Sequence, residues 1–373
     1  MQGVEIMNSI KELLYRLNVN SEYDLNLLKK AFEDVLNMED LNVRNVLLGS
    51  LLTALMTKNP THEEIATLLK VAFSKDNYNP LKRKLVDLGE NIKTVAIVGS
   101  GKKGIKTINI STASAILAAS MGAHVVKPGS FSTSSITGSA DFIELVGANK
   151  NISLNKSIAI LKKCGFAFFG IEDIIPKFDK LYGGNFYVPH ALSFGLAALI
   201  CPIKTDAVLY GLAHPNVELA LNVLKDFEIK NAMIVSSTDD NIHFIDEMGI
   251  FGNTRLIGTT DGINNGELIT FNPLKELKLP KYTSKDIRQG KDKKENIKYI
   301  LKALKGEGNS AHEDIICINC SNILYLSGLV NDLKEGFELS KKQIKTGEGL
   351  KKLKEYVLLT GGNLCNINKI LEE

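Results

Sequence analysis

The stretch that decides the fold runs from Lys93 to Gly147 and reads KTVAIVGSGKKGIKTINISTASAILAASMGAHVVKPGSFSTSSITGSADFIELVG. Thr94 to Val98 is an apolar run that stops at a cluster of glycines, which is how a buried strand ends. The apolar residues from Ala113 to Met121 predict a helix, and His124 to Lys127 predict a second strand. A further polar loop leads to a helix that begins at Ala140. Two strand–loop–helix units in succession predict an α/β fold.

Both loops carry groups that bind anions. The first loop combines small residues, which let backbone N–H groups approach a ligand, with two ammonium groups: Gly99, Ser100, Gly101, Lys102, Lys103 and Gly104. Asn109, Ser111 and Thr112 then place amide and hydroxyl groups at the start of the helix, where the helix dipole favours an anion. We therefore predict a phosphate site, although a glycine-rich turn alone also occurs where a chain only has to reverse sharply. The glycine spacing matches neither of the two common nucleotide signatures.

The composition excludes several classes of protein. The chain has 373 residues, of which 44% are hydrophobic and 23% are charged, as in ordinary globular proteins. A net charge of +3 is too small to indicate nucleic-acid binding by bulk electrostatics. The N-terminal residues lack the pattern of a signal peptide, and the longest apolar run, Ala191 to Ile203, is too short to span a bilayer. We therefore expect a cytoplasmic protein without a membrane partner.

The five cysteines are an odd number at irregular spacings, which indicates no disulfide framework. Cys317 and Cys320 form one Cys-x-x-Cys inside an apolar run, and no second pair accompanies it. A buried structural pair is favoured over a zinc site.

The chain is predicted to form two domains. Residues 1–90 form a small helical domain, indicated by a helical period of about 3.6 residues in four segments: Ile6–Leu17, Leu25–Leu36, Asn42–Met56 and His62–Phe73. Thr61 and Glu64 form a capping box at the start of the fourth segment. Residues 91–373 form the larger α/β domain, and helices from about 173–200 are expected to join the small one. Further alternation of helices with strands at Phe166–Phe169, Ala207–Gly211 and Asn231–Ser236 predicts a mostly parallel central sheet. Short β-like runs follow between Phe251 and Pro280, separated by Gly252, Gly258, Gly262 and Gly266.

Three motifs resemble those of anthranilate phosphoribosyltransferase, a family of the nucleoside phosphorylase/phosphoribosyltransferase superfamily. The first is Gly-Ser-Gly-Lys-Lys-Gly at residues 99–104, followed by Asn-Ile-Ser-Thr-Ala-Ser at residues 109–114. The second runs from Lys127 to Asp141 and ends in Gly-Ser-Ala-Asp. The third is the acidic pair Asp246-Glu247, followed by Gly-Asn-Thr at residues 252–254. The resemblance extends over the full length of the chain.

This resemblance implies transfer of a phosphoribosyl group from phosphoribosyl diphosphate, with Mg²⁺, to an aromatic amine. It implies that the first loop binds the diphosphate and that further side chains surround the phosphates, ribose and metal: Asn109, Ser111, Thr112, Lys127 and Ser139. Asp246 and Glu247, with Ser111, would hold the metal. The family also implies a homodimer formed through the helical domain.

The chain departs from the family where the acceptor binds. Lys102-Lys103 stands where the family has Gly-Asp, and Pro128, Ser130 and Phe131 replace His, Asn and Arg. Ala191 stands where the family has an arginine that pairs with the anthranilate carboxylate. A carboxylate buried without such a partner loses its solvation, so we expect an acceptor other than anthranilate, with Ser130 and Phe131 in its pocket. The two lysines maintain or strengthen anion binding and could lessen dependence on metal.

Two other functions remain open. The lysine-bearing loop would suit free phosphate in a phosphorolytic enzyme of the same superfamily that cleaves nucleosides. The altered loop also fits a non-catalytic protein that binds a nucleotide or nucleic acid on the same scaffold, although the near-neutral charge disfavours a general nucleic-acid role.

Overall fold

The structure is a computed structural model that describes residues 2–90, 92–132, 135–259 and 266–372. Four helices come first: α1 (Gln2–Asn18), α2 (Leu25–Leu36), α3 (Leu41–Lys58) and α4 (His62–Ser74). The predicted capping box is present, because the Thr61 hydroxyl accepts a hydrogen bond from the Glu64 N–H and the Glu64 carboxylate accepts one from the Thr61 N–H. A short 3₁₀ helix, Pro80–Lys82, leads away from this region.

A seven-stranded sheet forms the centre of the molecule. Its strands are β1 (Thr94–Gly99), β2 (His124–Gly129), β3 (Phe166–Gly170), β4 (Ala207–Gly211), β5 (Ala232–Thr238), β6 (Asn253–Gly258) and β7 (Ile269–Phe271). Their order is β3-β2-β1-β4-β5-β6-β7. The first five strands are parallel, whereas β6 and β7 pair antiparallel at one edge. The mostly parallel sheet and the helical N-terminal region are therefore confirmed.

Helices cover both faces of the sheet. After β1 they are α5 (Ile110–Ser120), α6 (Ser139–Leu145), α7 (Leu154–Cys164), α8 (Ile171–Ile174), α9 (Pro176–Tyr182), α10 (Leu196–Leu199), α11 (Val217–Asp226), α12 (Pro273–Glu276), α13 (Lys293–Lys305), α14 (Ser310–Leu326), α15 (Leu333–Ile344), α16 (Glu348–Thr360) and α17 (Cys365–Glu372). Two more 3₁₀ helices are Ala191–Phe194 and Ser284–Ile287. None of the described helices combines the length and the apolar character needed to cross a membrane.

Alternate residues of β1 enter two different hydrophobic cores. Val95 and Ile97 pack into the core that contains α5 and α14, whereas Ala96 and Val98 pack into the core that contains α2, α3, α4 and α11. This alternation follows from the period of two in a strand, and it makes both faces of β1 apolar, as in parallel sheets covered on both sides. The division of the chain at residue 90 stays a prediction.

Cys317 and Cys320 lie on the buried helix α14 as free thiols. After His190 the chain forms the 3₁₀ turn Ala191–Phe194, which Gly195 separates from the single turn of α10. Gly262 lies outside the described residues.

The strand order reverses between β1 and β4. From β1 the chain proceeds to β2 and β3 on one side, and then returns to place β4 and β5 on the other. The loops after β1 and β4 therefore diverge and leave a crevice at the carboxyl ends of these strands, where open α/β sheets bind ligands.

Candidate functional site

The crevice between β1 and β4 is closed at its base by Asp246. Gly99 ends β1 and pairs with Gly211, which ends β4. A Cβ on Gly99 would overlap the Asp246 carboxylate, and a Cβ on Gly211 would overlap the Asp246 carbonyl oxygen. Two facing glycines thus let a carboxylate approach the ends of two central strands.

The loop after β1 is held in a fixed shape by backbone hydrogen bonds. The N–H of Ser100 donates to the Gly211 carbonyl at 2.8 Å, and the N–H of Gly101 donates to Asp246 Oδ2 at 2.8 Å. Gly101 and Lys102 both adopt left-handed backbone conformations, with φ of +66° and +58°. The Gly104 N–H donates to the Phe244 carbonyl at 3.0 Å. These contacts turn the loop so that Lys102 and Lys103 both line the crevice.

The start of α5 meets the second loop across the same cavity. Asn109 caps α5, because its side-chain oxygen accepts a hydrogen bond from the Thr112 N–H at 3.4 Å. The Thr112 hydroxyl donates to Ser139 Oγ at 3.2 Å and so joins α5 to the start of α6. Asn109, Ser111 and Ser139 line the cavity.

Asp141, which sequence reasoning did not single out, shapes the second loop. Its Oδ2 accepts hydrogen bonds from the N–H groups of Ser132 and Gly138 at 2.8 and 2.9 Å, and Lys293 Nζ lies 2.7 Å from its Oδ1. Burial opposes ionisation, but the contact with Lys293 and the two N–H donors outweigh it and lower the pKa of Asp141. The final Asp of the Gly-Ser-Ala-Asp motif was the available signal for this role.

Lys103 lies between the two carboxylates of the acidic pair. Its Nζ is 3.0 and 3.1 Å from the two carboxylate oxygens of Glu247, 3.3 Å from Asp246 Oδ1 and 2.7 Å from Thr107 Oγ1. Burial favours the neutral amine, but the two carboxylates outweigh it and raise the pKa of Lys103 to about 12. Burial and the adjacent Asp246 carboxylate raise the pKa of Glu247 above its usual value.

The acidic pair is also tied to the hydrophobic core. Asn319, on the buried helix α14, accepts a hydrogen bond from the Met248 N–H at 3.0 Å and donates one to the Met248 carbonyl at 2.8 Å. The Ser237 hydroxyl donates to the Glu247 carbonyl at 2.8 Å. The backbone that carries Asp246 and Glu247 is therefore fixed from both sides.

Aromatic side chains form the other half of the cavity. Tyr182 stacks on Phe178 with ring centroids 5.1 Å apart and on Phe186 with centroids 5.3 Å apart. Lys102 Nζ donates to the Tyr182 hydroxyl at 2.9 Å, and this hydroxyl lies 3.0 Å from Nε2 of the buried His190. Burial, with the nearby Lys102 charge, lowers the pKa of His190 well below its usual value, so this imidazole is neutral.

Two carboxylates accompany these rings. Glu172 and Asp179 both line the cavity, and burial raises the pKa of each. Glu172 Oε1 accepts a hydrogen bond from the Phe131 N–H at 2.7 Å, and the Phe131 ring lies 3.9 Å from Lys150 Nζ. Sequence reasoning missed Tyr182, Phe186, Glu172 and Asp179, because the segment of residues 171–186 carries no motif.

The cavity brings together most of the side chains that the sequence singled out. Of those residues, the cavity is lined by Gly99, Ser100, Gly101, Lys102, Lys103, Asn109, Ser111, Lys127, Ser130, Phe131, Ser139, Asp246 and Glu247. Gly104 is placed instead against His243, where a Cβ would clash, and Thr112 is fully buried behind Ser139. Ala191 is fully buried, and the cations among the described residues of the cavity wall are Lys102, Lys103 and Lys127.

The α/β fold, the crevice where the strand order reverses and the glycine loop agree with one class of protein, the glycosyl transferases. Residues 91–350 match the family described as "Glycosyl transferase family, a/b domain". The chain is 31% identical to anthranilate phosphoribosyltransferase of Colwellia psychrerythraea over 335 residues, which cover 87% of this chain and 86% of that protein. It is also 31% identical to the enzyme of the same name from Pyrobaculum arsenaticum, over 84% of this chain and 91% of that protein. The chain therefore belongs to this glycosyl transferase family, among the proteins that resemble anthranilate phosphoribosyltransferase.

Solved structures share the same fold. Anthranilate phosphoribosyltransferase from Thermus thermophilus matches with a TM-score of 0.73 and 22% identity, over 93% of this chain and 99% of that chain. The enzyme of the same name from Saccharomyces cerevisiae, solved with PRPP and Mg, also has a TM-score of 0.73, with 19% identity over 95% and 98% of the two chains.

The predicted magnesium site does not fit an ion as the side chains stand. Mg²⁺ requires oxygen ligands at about 2.0–2.1 Å and near-octahedral geometry. The space beside both oxygens of Glu247 and beside Asp246 Oδ1 is filled by the Lys103 ammonium. A divalent ion at this pair would have to displace that ammonium.

Lys127 gives a test of the electrostatics of the cavity. Its side chain is 2% exposed, and burial lowers its pKa to about 8, against about 10.4 in an unfolded chain. Below pH 8 the ammonium is charged in both the folded and the unfolded state, and its burial opposes folding. Between pH 8 and about 10.4 only the unfolded state keeps the proton. The free energy of unfolding of the wild type therefore rises with pH in that window.

We expect Lys127→Met to exceed the wild type in free energy of unfolding by roughly 3 kcal/mol at pH 7, and this gap should close by about pH 10. Urea unfolding at several pH values measures the gap. Lys351→Met, at a lysine whose side chain is 71% exposed, is the control and should show no such trend. A gap that stays constant from pH 7 to 10 would contradict the buried charge.

Proposed function

We propose that this protein transfers a phosphoribosyl group from phosphoribosyl diphosphate to an aromatic or nitrogenous acceptor. One observation carries the proposal: the glycine loop, the start of α5 and three lysines surround a single crevice at the carboxyl ends of β1 and β4. Lys102 and Lys127 supply positive charge, and Lys103 offsets the acidic pair beside it. The cavity lining adds polar groups from Asn109, Ser111 and Ser139. The family membership and the names of the relatives support the same donor.

The arrangement suits a reaction in which diphosphate leaves. The bond between the ribose C1 atom and the diphosphate oxygen breaks, and the electron pair stays on the diphosphate while positive charge develops on the ribose. Fixed dipoles and cations that face the leaving group stabilise that charge separation. In this chain the first loop and Lys127 are in a position to do so. Mg²⁺, which accompanies PRPP in the yeast structure, has no step in this proposal, because Lys103 fills the Asp246–Glu247 site.

Donor binding is the first test. We expect phosphoribosyl diphosphate at about 1 mM to raise the melting temperature by about 3 °C or more, because a ligand that binds only the folded state stabilises it. Lys127→Met should lose most of this rise, whereas the exposed-surface variant Lys351→Met should retain it.

The wild-type protein should release diphosphate from the donor only when an acceptor is present. An enzyme-coupled assay for diphosphate measures this release. Absence of any thermal shift would count against the proposal. Release of base from nucleosides by inorganic phosphate, without any effect of diphosphate, would indicate phosphorolysis instead. A salt-dependent shift with DNA or RNA, without turnover of the donor, would indicate a binding protein.

The acceptor half supports a substrate other than anthranilate. Tyr182 and Phe186 offer aromatic faces to a flat ring, and Glu172 and Asp179 offer carboxylate oxygens to hydrogen-bond donors. An acceptor with its own carboxylate would lie near these two carboxylates, with Lys102 as the cation that reaches this half. We therefore propose a flat acceptor that carries N–H donors or a positive charge.

An acceptor screen tests this class. Amino- and amidino-substituted heteroaromatic compounds should be consumed in the presence of the donor, and anthranilate should not. Asp179→Asn and Glu172→Gln should each raise KM for a cationic acceptor by about tenfold, the loss of about one charge-assisted hydrogen bond. Asp173→Asn is the control, since Asp173 follows Glu172 on α8 but is exposed and does not line the cavity. Turnover of anthranilate at a rate equal to that of the best heteroaromatic compound would overturn the acceptor class.

The homodimer is a further proposal, and the surface of the helical region supports it. Val43 and Val46 are exposed one turn apart on α3, and Tyr15 and Val19 are exposed at the end of α1 and just after it. Exposed apolar side chains grouped in this way favour a protein interface.

Sedimentation velocity should give a particle of twice the chain mass of 40.9 kDa, and Val46→Glu should shift the measured mass toward that of the monomer. A wild-type monomer at micromolar concentration would contradict the dimer.

A further inference from the structure

The Lys103 ammonium occupies a position that oxygen atoms surround as they would a bound cation. The Lys103 nitrogen lies 2.7 Å from Thr107 Oγ1, 3.0 and 3.1 Å from the two Glu247 carboxylate oxygens, and 3.3 Å from Asp246 Oδ1. The three side chains are largely buried: those of Lys103, Asp246 and Glu247 are 14%, 5% and 6% exposed. The site is therefore a buried cation site with several oxygen neighbours, and its cation is the side chain of Lys103.

The shape of the first loop places this ammonium between the two carboxylates. Gly101 and Lys102 turn the backbone in left-handed conformations, and the Gly101 N–H binds the far oxygen of Asp246. A left-handed conformation is unfavourable for lysine, so the loop contacts have to hold Lys102 in it. The Gly104 N–H bond to Phe244 then anchors the loop directly after Lys103. The loop therefore contacts the acidic pair through the Gly101 N–H and through the Lys103 side chain.

Asp246 Oδ1 depends on this ammonium in particular. It is buried and has no hydrogen-bond partner among the described residues, and the Lys103 nitrogen is the cation paired with it. Two buried carboxylates without a cation would repel each other and lose solvation at large cost. Lys103 Nζ already contacts both oxygens of Glu247 and Oδ1 of Asp246, so a metal ion at this pair would have to displace the ammonium.

We propose that Lys103 is a built-in replacement for a divalent cation at the Asp246–Glu247 pair, which makes this pair unable to bind a metal ion. The inference rests on the proposed function for its role: Lys103 offsets one of the two negative charges of the acidic pair beside the leaving diphosphate. Lys103 is then a positioning residue for phosphoribosyl transfer, and the donor diphosphate meets a wall whose negative charge is reduced.

Metal binding to the free protein tests the replacement directly. Phosphoribosyl diphosphate itself chelates divalent ions, so the titration uses the full chain without ligand, with Mn²⁺ followed by the loss of its free-ion EPR signal. We expect the wild type to bind no Mn²⁺ at this pair up to about 1 mM, and Lys103→Ser to bind one ion per chain at least about tenfold more tightly. Adding Glu247→Gln to Lys103→Ser should abolish the new site. Lys106→Ser removes the same charge from a half-buried neighbour that does not contact the pair, so it should create no site.

Two results would overturn the replacement. One is a wild-type Mn²⁺ site that Glu247→Gln removes, since Lys103 would then yield its place to a metal ion; this result does not depend on the folding of any Lys103 variant. The other is a Lys103→Ser protein with native circular dichroism that gains no Mn²⁺ site. The proposed function is judged separately, because failure of phosphoribosyl diphosphate to bind would leave the Mn²⁺ titration unchanged.

Discussion

The close approach of Asp246 to the ends of β1 and β4 is the constraint on which the site depends. Gly99 and Gly211 face each other in the sheet and leave room for the Asp246 side chain and backbone. Asp246 in turn holds the first loop through the Gly101 N–H. A single carboxylate thus connects the central strands, the glycine loop after β1 and the acidic segment, which are far apart in the chain.

Local patterns were sufficient to predict much of the fold. The helical period placed α2 at Leu25–Leu36, and the apolar runs placed β4 at Ala207–Gly211, with the bounds that the structure has. Prediction of secondary structure was limited where an element is buried on all sides, because such an element has no alternation of apolar and polar residues. Helix α14 is buried around almost its whole circumference, so its apolar run has no helical period to detect.

The glycine-loop side of the cavity was more predictable than the aromatic side for a physical reason. A glycine loop followed by a helix start is a compact sequence, and such a motif can be recognised in about 15 residues. The aromatic side assembles from the ends of short helices, and single residues such as Tyr182 and Asp179 carry no local signature. The Lys103 contacts were also out of reach, because the partners Asp246 and Glu247 are more than a hundred positions away in the chain.

The pairing of Asn319 with Met248 has a consequence for motion. The asparagine amide donates to and accepts from the same backbone unit, as an adjacent strand would, and it does so from the middle of a buried helix. These two hydrogen bonds tie the segment that bears the acidic pair to α14, which is packed in the hydrophobic core. The opposite wall ends at Gly183 and Gly184, next to the exposed Tyr187 and Val188. We therefore expect the segment around Gly183 and Gly184 to change more than the acidic wall when a ligand binds.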